Sequence, residues 1–450
     1  RHPGDSALGQ LLHVGVDDTD SPRMGCTTYV AALLVDHLTK RRCTFVDYPN
    51  LVRLNPNVPW KTRGNGAVCL RFTCSDENIS SLVESVVGIV KRNSDLAHGR
   101  TDPAVACLRG PVPSELSLFS KKVIRGLVRI KEVQKVAAKF RISCIPLKGR
   151  KGIIGATAAI GENLQGDHTY ELIAYRISRN RSTPRRVDAE SVSKMAKETE
   201  PLTFNNMDPE TGRILITPRG KDPILYGIRG ETPEVVLRGH RIVKATEKVE
   251  RWVIFRTNHG TDDHFSQLSR ISNICPFRPA FVTGRVSANP RTIPGGHVIL
   301  ELSDGSGSID CAAYEPTGSF RHTVRKLVRG DLVEAYGGVR RGTKTHACTL
   351  NLEKIRIADL AENIAFQNPL CLKCGKRMES AGRGQGFRCP NCKTTNRAAS
   401  KIPVVNPREL ALGMYIPPAR AHRHLTKPAS RYGREKTGPP MPLIQPWHWP

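Results

Sequence analysis

The chain of 450 residues carries 69 Lys and Arg against 41 Asp and Glu, a formal charge of +28, with 39% hydrophobic residues. That length allows roughly three domains of ~150 residues, each able to bury a core, and so large a basic excess suits a polyanionic partner, nucleic acid first. No apolar run is long enough to span a membrane and the opening RHPGDSALGQ has no apolar signal core, so a cytoplasmic protein is expected.

A generic basic surface, as in proteins adapted to salt or heat, is the plainer alternative. The uneven distribution of charge argues against it: the stretch from Cys371 to Pro450 holds 15 Lys and Arg against 3 acidic residues. Nine of the 13 cysteines stand singly in apolar segments, the pattern of buried thiols in a reducing compartment.

In chain order, LLHVGV reads as a strand, and TTYVAALLVDHLTKRR places Val30, Leu33, Leu34 and Leu38 at helical spacing. Between them, Asp17, Asp18 and Asp20 crowd the end of the strand before a glycine turn. Paired carboxylates are poor contacts for nucleic acid but good ligands for Mg²⁺, which keeps water and phosphate oxygens in its other positions. Thr27 and Thr28 fall at the helix start, where N–H groups and a hydroxyl can meet a phosphate. The simpler reading is an acidic turn followed by a Thr N-cap.

LVRL and AVCLRF read as strands around a Pro/Gly-rich loop, and the segments at 78–92 and 114–140 read as helices. The second helix has a basic outer face: between Lys121 and Lys151, Lys122, Arg125, Arg129, Lys131, Lys135, Lys139, Arg141, Lys148 and Arg150 are opposed only by Glu132. KTRGNG (Lys61–Gly66) and KGRKGIIGATAAIG (Lys148–Gly161) combine cations with glycines that allow close backbone approach, as phosphate cradles do and as many ordinary loops do. TYELIAYRI is a further strand, and 185–275 is irregular α+β. There, TNHGTDDH could be a metal or amine site, with a solvated loop as the favoured reading. No Walker P-loop, kinase catalytic loop or convincing nucleophile set occurs.

Residues 279–358 give five short strands, with FRHTVRKLV as a helix before the fourth, which fits an OB-type barrel. Cys371, Cys374, Cys389 and Cys392 form C-x2-C-x14-C-x2-C. Four thiolates complete tetrahedral Zn²⁺ and leave no position for water, so this zinc is structural. Beyond it the chain is basic and Pro-rich, ending in PPMPLIQPWHWP, expected to be an extended or disordered tail.

Taken together, DDTDSPRMGCTTY, LVRLNPNVPWKTRGNGAV, LKGRKGIIGA, ILYGIRGE, TNHGTDDH, GGHVILEL, CAAYEPT and MESAGRGQGFRC resemble the archaeal agmatidine synthetase family that acts on the minor isoleucine tRNA. The likeness runs from about residue 12 to about 428. It implies an enzyme, a ligase that replaces the C2 oxygen of the wobble cytidine in the CAU anticodon with agmatine, so that the tRNA reads AUA. ATP is split to AMP, and its γ-phosphate activates the cytidine.

The implied fold is multidomain α+β: a kinase-like α/β domain (11–185, with an uncertain and possibly interleaved boundary), a ferredoxin-like domain (186–275), an OB-fold domain (276–358), a zinc ribbon with a basic tRNA-binding tail (359–430) and a flexible tail (431–450). Asp17, Asp18 and Asp20 would hold Mg²⁺ on ATP, and Thr27 matches the family's autophosphorylated threonine. Lys61, Arg63, Gly64, Gly149, Gly152 and Gly155 would cradle the nucleotide. Asp208, Glu231, Asp262 and Asp263 are candidates for holding agmatine. Lys151 stands where the family pattern has a small residue. Neither a membrane nor an obligate protein partner is expected. The rival classes are a non-catalytic binder of single-stranded nucleic acid and a metal-dependent nuclease or phosphohydrolase.

Overall fold

The computed structural model describes residues 9–62, 64–75, 79–266, 268–343 and 347–450; Arg63 lies outside them. The first unit comprises β1 (Gln10–Asp17), α1 (Thr27–Lys40), β2 (Thr44–Phe45), β3 (Asn50–Arg53), β4 (Gly66–Cys74), α2 (Ile79–Arg92) and β5 (Ala104–Arg109). It continues through α3 (Ser114–Arg125), α4 (Ile130–Lys139), β6 (Ser143–Pro146) and α5 (Gly152–Gly161). The second unit holds β7 (Thr169–Arg176), α6 (Ala189–Thr199), β8 (Thr203–Phe204), β9 (Ile224–Gly230), α7 (Pro233–Ile242) and β10 (Val249–Thr257).

The strands form one sheet in the order β6-β5-β1-β4-β3-β10-β7-β9-β8. Each half repeats one plan. β5-β1-β4-β3 and β10-β7-β9-β8 are both antiparallel βαββαβ units with the fourth, first, third and second strands side by side, the ferredoxin-like order. The halves meet edge to edge, where β10 pairs parallel with β3 at Arg256↔Asn50 and Thr257↔Leu51.

Alternation along β1 explains its two coats. Leu12, Val14 and Val16 pack with Val30, Leu34 and Leu38 of α1 and Leu82 and Val86 of α2. The other face of the sheet meets α5, whose small residues let its backbone come so close that a Cβ on Gly15 would collide with the Ala156 carbonyl. This layering interleaves the units. The expected boundary at 185 falls too late, because β7 is the central strand of the second half, while α5 still covers β1, β5 and β4. The expected helix over 114–140 is also two helices. Gly126 ends α3 with extended backbone, and its carbonyl accepts from Asn55 Nδ2 at 2.9 Å.

β11 (Pro279–Ile293), β12 (His297–Ser303), β13 (Ser308–Ala313), α8 (Ser319–Arg325), β14 (Leu332–Arg340) and β15 (Thr349–Asp359) form the expected barrel. Strand order β13-β12-β11-β14-β15, closed by a parallel β13–β15 pairing, is the OB arrangement. Next come β16 (Ile364–Gln367), β17 (Glu379–Ser380), β18 (Phe387–Arg388), β19 (Thr395–Asn396) and β20 (Ile402–Val405). The sulfurs of Cys371, Cys374, Cys389 and Cys392 lie within 4.8 Å of one another. With Zn–S bonds of ~2.3 Å a tetrahedral ion fits that set. The apolar cluster around it includes Met378 and Phe387 but is otherwise mostly the cysteines themselves.

β21 (Gly413–Tyr415) pairs with β15. The following segment departs from expectation, because 431–450 is packed rather than flexible. β3 reaches only the far end of β10, leaving Trp252 and Val253 open, and β22 (His448–Trp449) pairs there. Trp447 is 4% exposed, edge-on to Phe45 at 5.2 Å. Tyr48 donates to the Pro442 carbonyl at 2.8 Å, and Arg256 Nη2 donates to the Gly438 carbonyl at 2.8 Å. The prolines that suggested disorder supply extended backbone along the seam between the halves. Among the described residues, no helix is long and apolar enough to cross a membrane.

Two outcomes follow for stability. Trp447→Ala should cost about 3–5 kcal/mol in denaturant unfolding of the sheet. Zinc chelation should unfold residues 368–410 with little change in the OB barrel, read as a local rise in amide hydrogen exchange.

Candidate active site

β1 delivers Asp17 at its end, and Asp18 follows in the left-handed region at φ 57°. The Asp18 N–H donates to Asp17 Oδ1 at 2.7 Å, and the Asp102 N–H donates to Asp18 Oδ2 at 3.0 Å. Burial, then repulsion from Asp18, pushes the Asp17 carboxyl well above its usual range. Burial likewise raises Asp18 to about 6, with Asp20 and Asp102 adding to it and the Asp102 N–H and Lys151 opposing. The Asp17 and Asp18 carboxylates are crowded without matching positive charge, which is the chemistry of a divalent-cation donor set.

α1 begins beside them. Its N-cap is Cys26, which makes no side-chain cap bond, so the expected Thr cap is absent. The Thr27 hydroxyl is instead 3.0 Å from that of Thr19. The first-turn N–H groups of α1, with no acidic residue in that turn, form an anion-attracting end.

Two cavities meet at Asp20, Gly64 and Gly66. The smaller, of about 90 Å³, is lined by Asp17, Asp18, Trp60, Lys61, Lys151 and Gly155. The larger, of about 580 Å³, spans the seam between the halves and takes in Thr27 and Thr28. Its cations are Arg53, Arg213, Arg219, Arg229, Arg420 and Arg423. At its floor, Glu171 is held by Arg229 at 3.0 Å, Arg53 at 3.3 Å and His259 at 3.4 Å. Burial opposes ionisation of Glu171, but Arg229, His259 and Arg53 together hold its carboxyl well below the usual range. Burial lowers His259 to about 4, and Arg53 and burial hold His424 well below its usual value, so both rings are neutral at pH 7.

The expected nucleotide glycines serve the carboxylates. A Cβ on Gly155 would collide with Asp17, and one on Gly149 or Gly152 with Asp102. Gly64 is close to His424 in the same way. Of the expected cradle residues, Lys61, Gly64 and Gly155 line the smaller cavity.

The four candidate agmatine carboxylates are not brought together. Asp208 is bound by Arg420 at 2.7 Å, Glu231 by Arg431 at 2.7 Å, and Asp263 by Lys121 at 2.7 Å and Arg125 at 3.1 Å. Asp262 pairs with Lys354 of β15 and accepts the Lys427 N–H at 2.9 Å. Each is already neutralised, and none lines either cavity. TNHGTDDH is likewise no solvated loop. His259 and His264 are 3% and 1% exposed, and His264 Nε2 lies 3.0 Å from Glu353 of the barrel, so the segment fastens the second unit to the OB domain.

Sequence reading passed over Asp102, Glu171 and Arg229. A signal for the last two existed. LVRL, TYELIAYRI and ILYGIRG each carry a charged residue within an apolar strand, and Arg53, Glu171 and Arg229 combine both signs.

Comparison with known proteins gives four matched segments: a TiaS TCKD domain over residues 13–148, a TiaS FLD domain over 150–264, an OB-fold nucleic acid binding domain over 280–358 and a TiaS C-terminal zinc ribbon domain over 368–410. The first two segments divide between residues 148 and 150, so α5 falls in the second segment although it packs on the first sheet half. The 2-agmatinylcytidine synthetase TiaS of Staphylothermus marinus, named for the second isoleucine tRNA, is 42% identical, covering 95% of each chain. Its namesake from Archaeoglobus fulgidus is 41% identical over 94% of this chain and 98% of its own. Among solved structures, a complex of TiaS with that isoleucine tRNA and ATP superposes with a TM-score of 0.85 at 40% identity, covering 94% of this chain and 97% of that one. A TiaS complex with the tRNA, AMPCPP and agmatine gives 0.81 at 38% identity with the same coverage. With relatives this similar along nearly its whole length, the chain belongs to the TiaS family of isoleucine-tRNA 2-agmatinylcytidine synthetases.

Proposed function

We propose that this protein is an ATP-dependent synthetase that joins agmatine to C2 of the wobble cytidine of the minor isoleucine tRNA. The observation that carries the reading is the pairing of opposites at one seam. Under-neutralised carboxylates adjoin a helix N-terminus and an arginine-lined cavity with room for a nucleotide-sized group.

The C2 oxygen of cytosine is a poor leaving group, and phosphorylation makes it a good one that an amine can displace. Asp17, Asp18 and Asp20 would hold Mg²⁺, which when bound neutralises charge on the transferring phosphoryl group. Lys61 and Lys151 face the same smaller cavity and add positive charge there. Thr27 lies on the larger cavity at the start of α1, near N–H donors, and would accept a phosphoryl group there. Arg53 and Arg229 sit on Glu171 in a rigid cluster, so they present fixed positive charge to a phosphorylated base without reorganising.

Agmatine carries a guanidinium and an amine, both cationic at neutral pH. None of the four expected carboxylates lines either cavity, and Asp222, the acid on the larger cavity outside the Glu171 cluster and the metal set, is itself paired with Arg185 at 2.9 Å. The surrounding arginines favour loss of a proton from the attacking amine, since a like charge lowers an amine's pKa.

Incubation with ATP, Mg²⁺, agmatine and the tRNA should give an agmatine-mass adduct on one nucleoside, with AMP released. Tight tRNA binding with neither product would instead make the chain a non-catalytic binder, and RNA cleavage without agmatine would make it a nuclease.

Asp18→Asn keeps the acceptor for the Asp102 N–H and tolerates positive φ, yet it should lower ATP turnover by at least ~100-fold while leaving tRNA affinity nearly unchanged. The same variant carries a pH signature. A folded-state pKa raised to about 6 penalises the metal-free fold once pH exceeds the unfolded value of 3.8, and fully above 6. Metal-free Asp18→Asn should therefore melt higher than the wild type at pH 7.5 and lose that advantage below about pH 4. Mg²⁺ affinity of the wild type should fall as pH drops through about 6, because the cation must displace the proton on Asp18.

A further inference from the structure

The basic run between α3 and β6 has no part in the site described above. Within it, α4 buries Val133 and Ala137, four residues apart, and turns Lys131, Gln134, Lys135, Ala138 and Lys139 outward as exposed residues. Lys131, Lys135 and Lys139 follow at four-residue intervals, so they stand on one face about 6 Å apart along the axis. Arg129 and Arg141, exposed at either end of the helix, extend the row. The two nearby acids are already engaged. Glu132 closes the helix start by accepting the Arg129 N–H at 2.8 Å and pairs with Lys122, while Glu115 pairs with Lys139. Apart from Glu115 against Lys139, the outward face thus offers cations, an amide and a methyl group, with no large apolar side chain.

Position adds a second argument. The turn that leads into α4, Gly126 to Val128, lines the smaller cavity. It also abuts the entrance to the OB barrel, where Asn55 Nδ2 donates to both Gly126 O and Phe277 O at 2.9 Å. A polynucleotide with one base in the cavities would pass this turn as it leaves, and α4 is the next surface on that side.

We propose that α4 is an RNA-backbone rail, along which Arg129, Lys131, Lys135 and Arg141 engage phosphates of the tRNA arm adjoining the modified base. The proposal rests on the synthetase reading for the identity of the RNA. Its occupant follows from charge complementarity: an apolar protein partner would find no anchor on this face, whereas phosphates need only a row of unshielded cations. Such contacts set affinity and register, not sequence choice.

The test is the salt dependence of binding of the minor isoleucine tRNA to the full chain between ~50 and ~200 mM salt. Each phosphate contact contributes ~0.9 to the slope of log affinity against log salt. Lys131→Gln with Lys135→Gln should therefore lower the slope by about 1.8 and weaken binding about 10-fold or more at the low end. KM for tRNA should rise, with kcat at saturating tRNA unchanged. Gln134→Lys, a substitution at an exposed position, should steepen the slope by up to ~0.9 and guards against a double variant that merely misfolds. Slopes that stay within ~0.5 of the wild type in both variants would overturn the rail, and would do so even if the face served an acidic protein. Wild-type adduct formation is scored separately. An active wild type with unmoved slopes sinks the rail alone, whereas a wild type without adduct or tRNA binding removes the synthetase reading and the rail with it.

Discussion

The two halves of the sheet are joined at two residue pairs, Arg256 with Asn50 and Thr257 with Leu51, where β10 runs parallel to β3. Each half of the sheet is a ferredoxin-like unit with its own helices, and their buried cores run together across the seam. The short parallel contact makes them one sheet, and the larger cavity opens along it with Thr27 on one side and Glu171 and Arg229 on the other. So short a ladder cannot resist shear unaided. Arg256, fully buried, reinforces it by pairing with Asp47 at 3.1 Å and donating to the carbonyls of Leu164 and Gly438.

Charge is sorted across that seam rather than cancelled. Asp17 and Asp18 crowd together short of cations, and the arginines of the larger cavity outnumber the acids around them. Left as ionised groups in a partly buried setting, the carboxylates work against the fold. In the proposed reading, a metal ion with a phosphorylated substrate would satisfy both sides. The buried pairs elsewhere behave differently. Asp262 with Lys354, His264 with Glu353, and Arg431 with Glu231 and Asp167 are paired within the fold, and they fasten the barrel and the C-terminal residues to the sheet.

What could be read in advance depended on how local each signal was. The zinc ligands, the OB strands and the DDTD turn are contiguous patterns whose chemistry is set by spacing, and they appear where expected. The four proposed agmatine carboxylates are each paired with a cation that the sequence could not name, because a carboxylate's availability depends on which cation folds against it. Arg420 lies 212 residues from Asp208, and Arg431 lies 200 from Glu231. The glycines of GRKGIIGA were rightly singled out for close approach, but the approaching groups, Asp17 and Asp102, could not be named from the loop alone. PPMPLIQPWHWP was misjudged for a related reason. Proline content marks extended backbone equally well in a free tail and in a segment packed along an unfilled strand edge.

That segment also bears on how the molecule comes to exist. Tyr48 belongs to the first unit, yet its hydroxyl partner, the carbonyl of Pro442, is 394 residues later in the chain. During synthesis at ~5–20 residues per second the early sheet must wait tens of seconds with Phe45, Tyr48 and the edge of β10 uncovered. Residues 441–449 then act as a timer. The seam that holds the catalytic cavity is sealed only after the OB barrel and zinc ribbon have been made, so a chain cut short before them is left with an open seam.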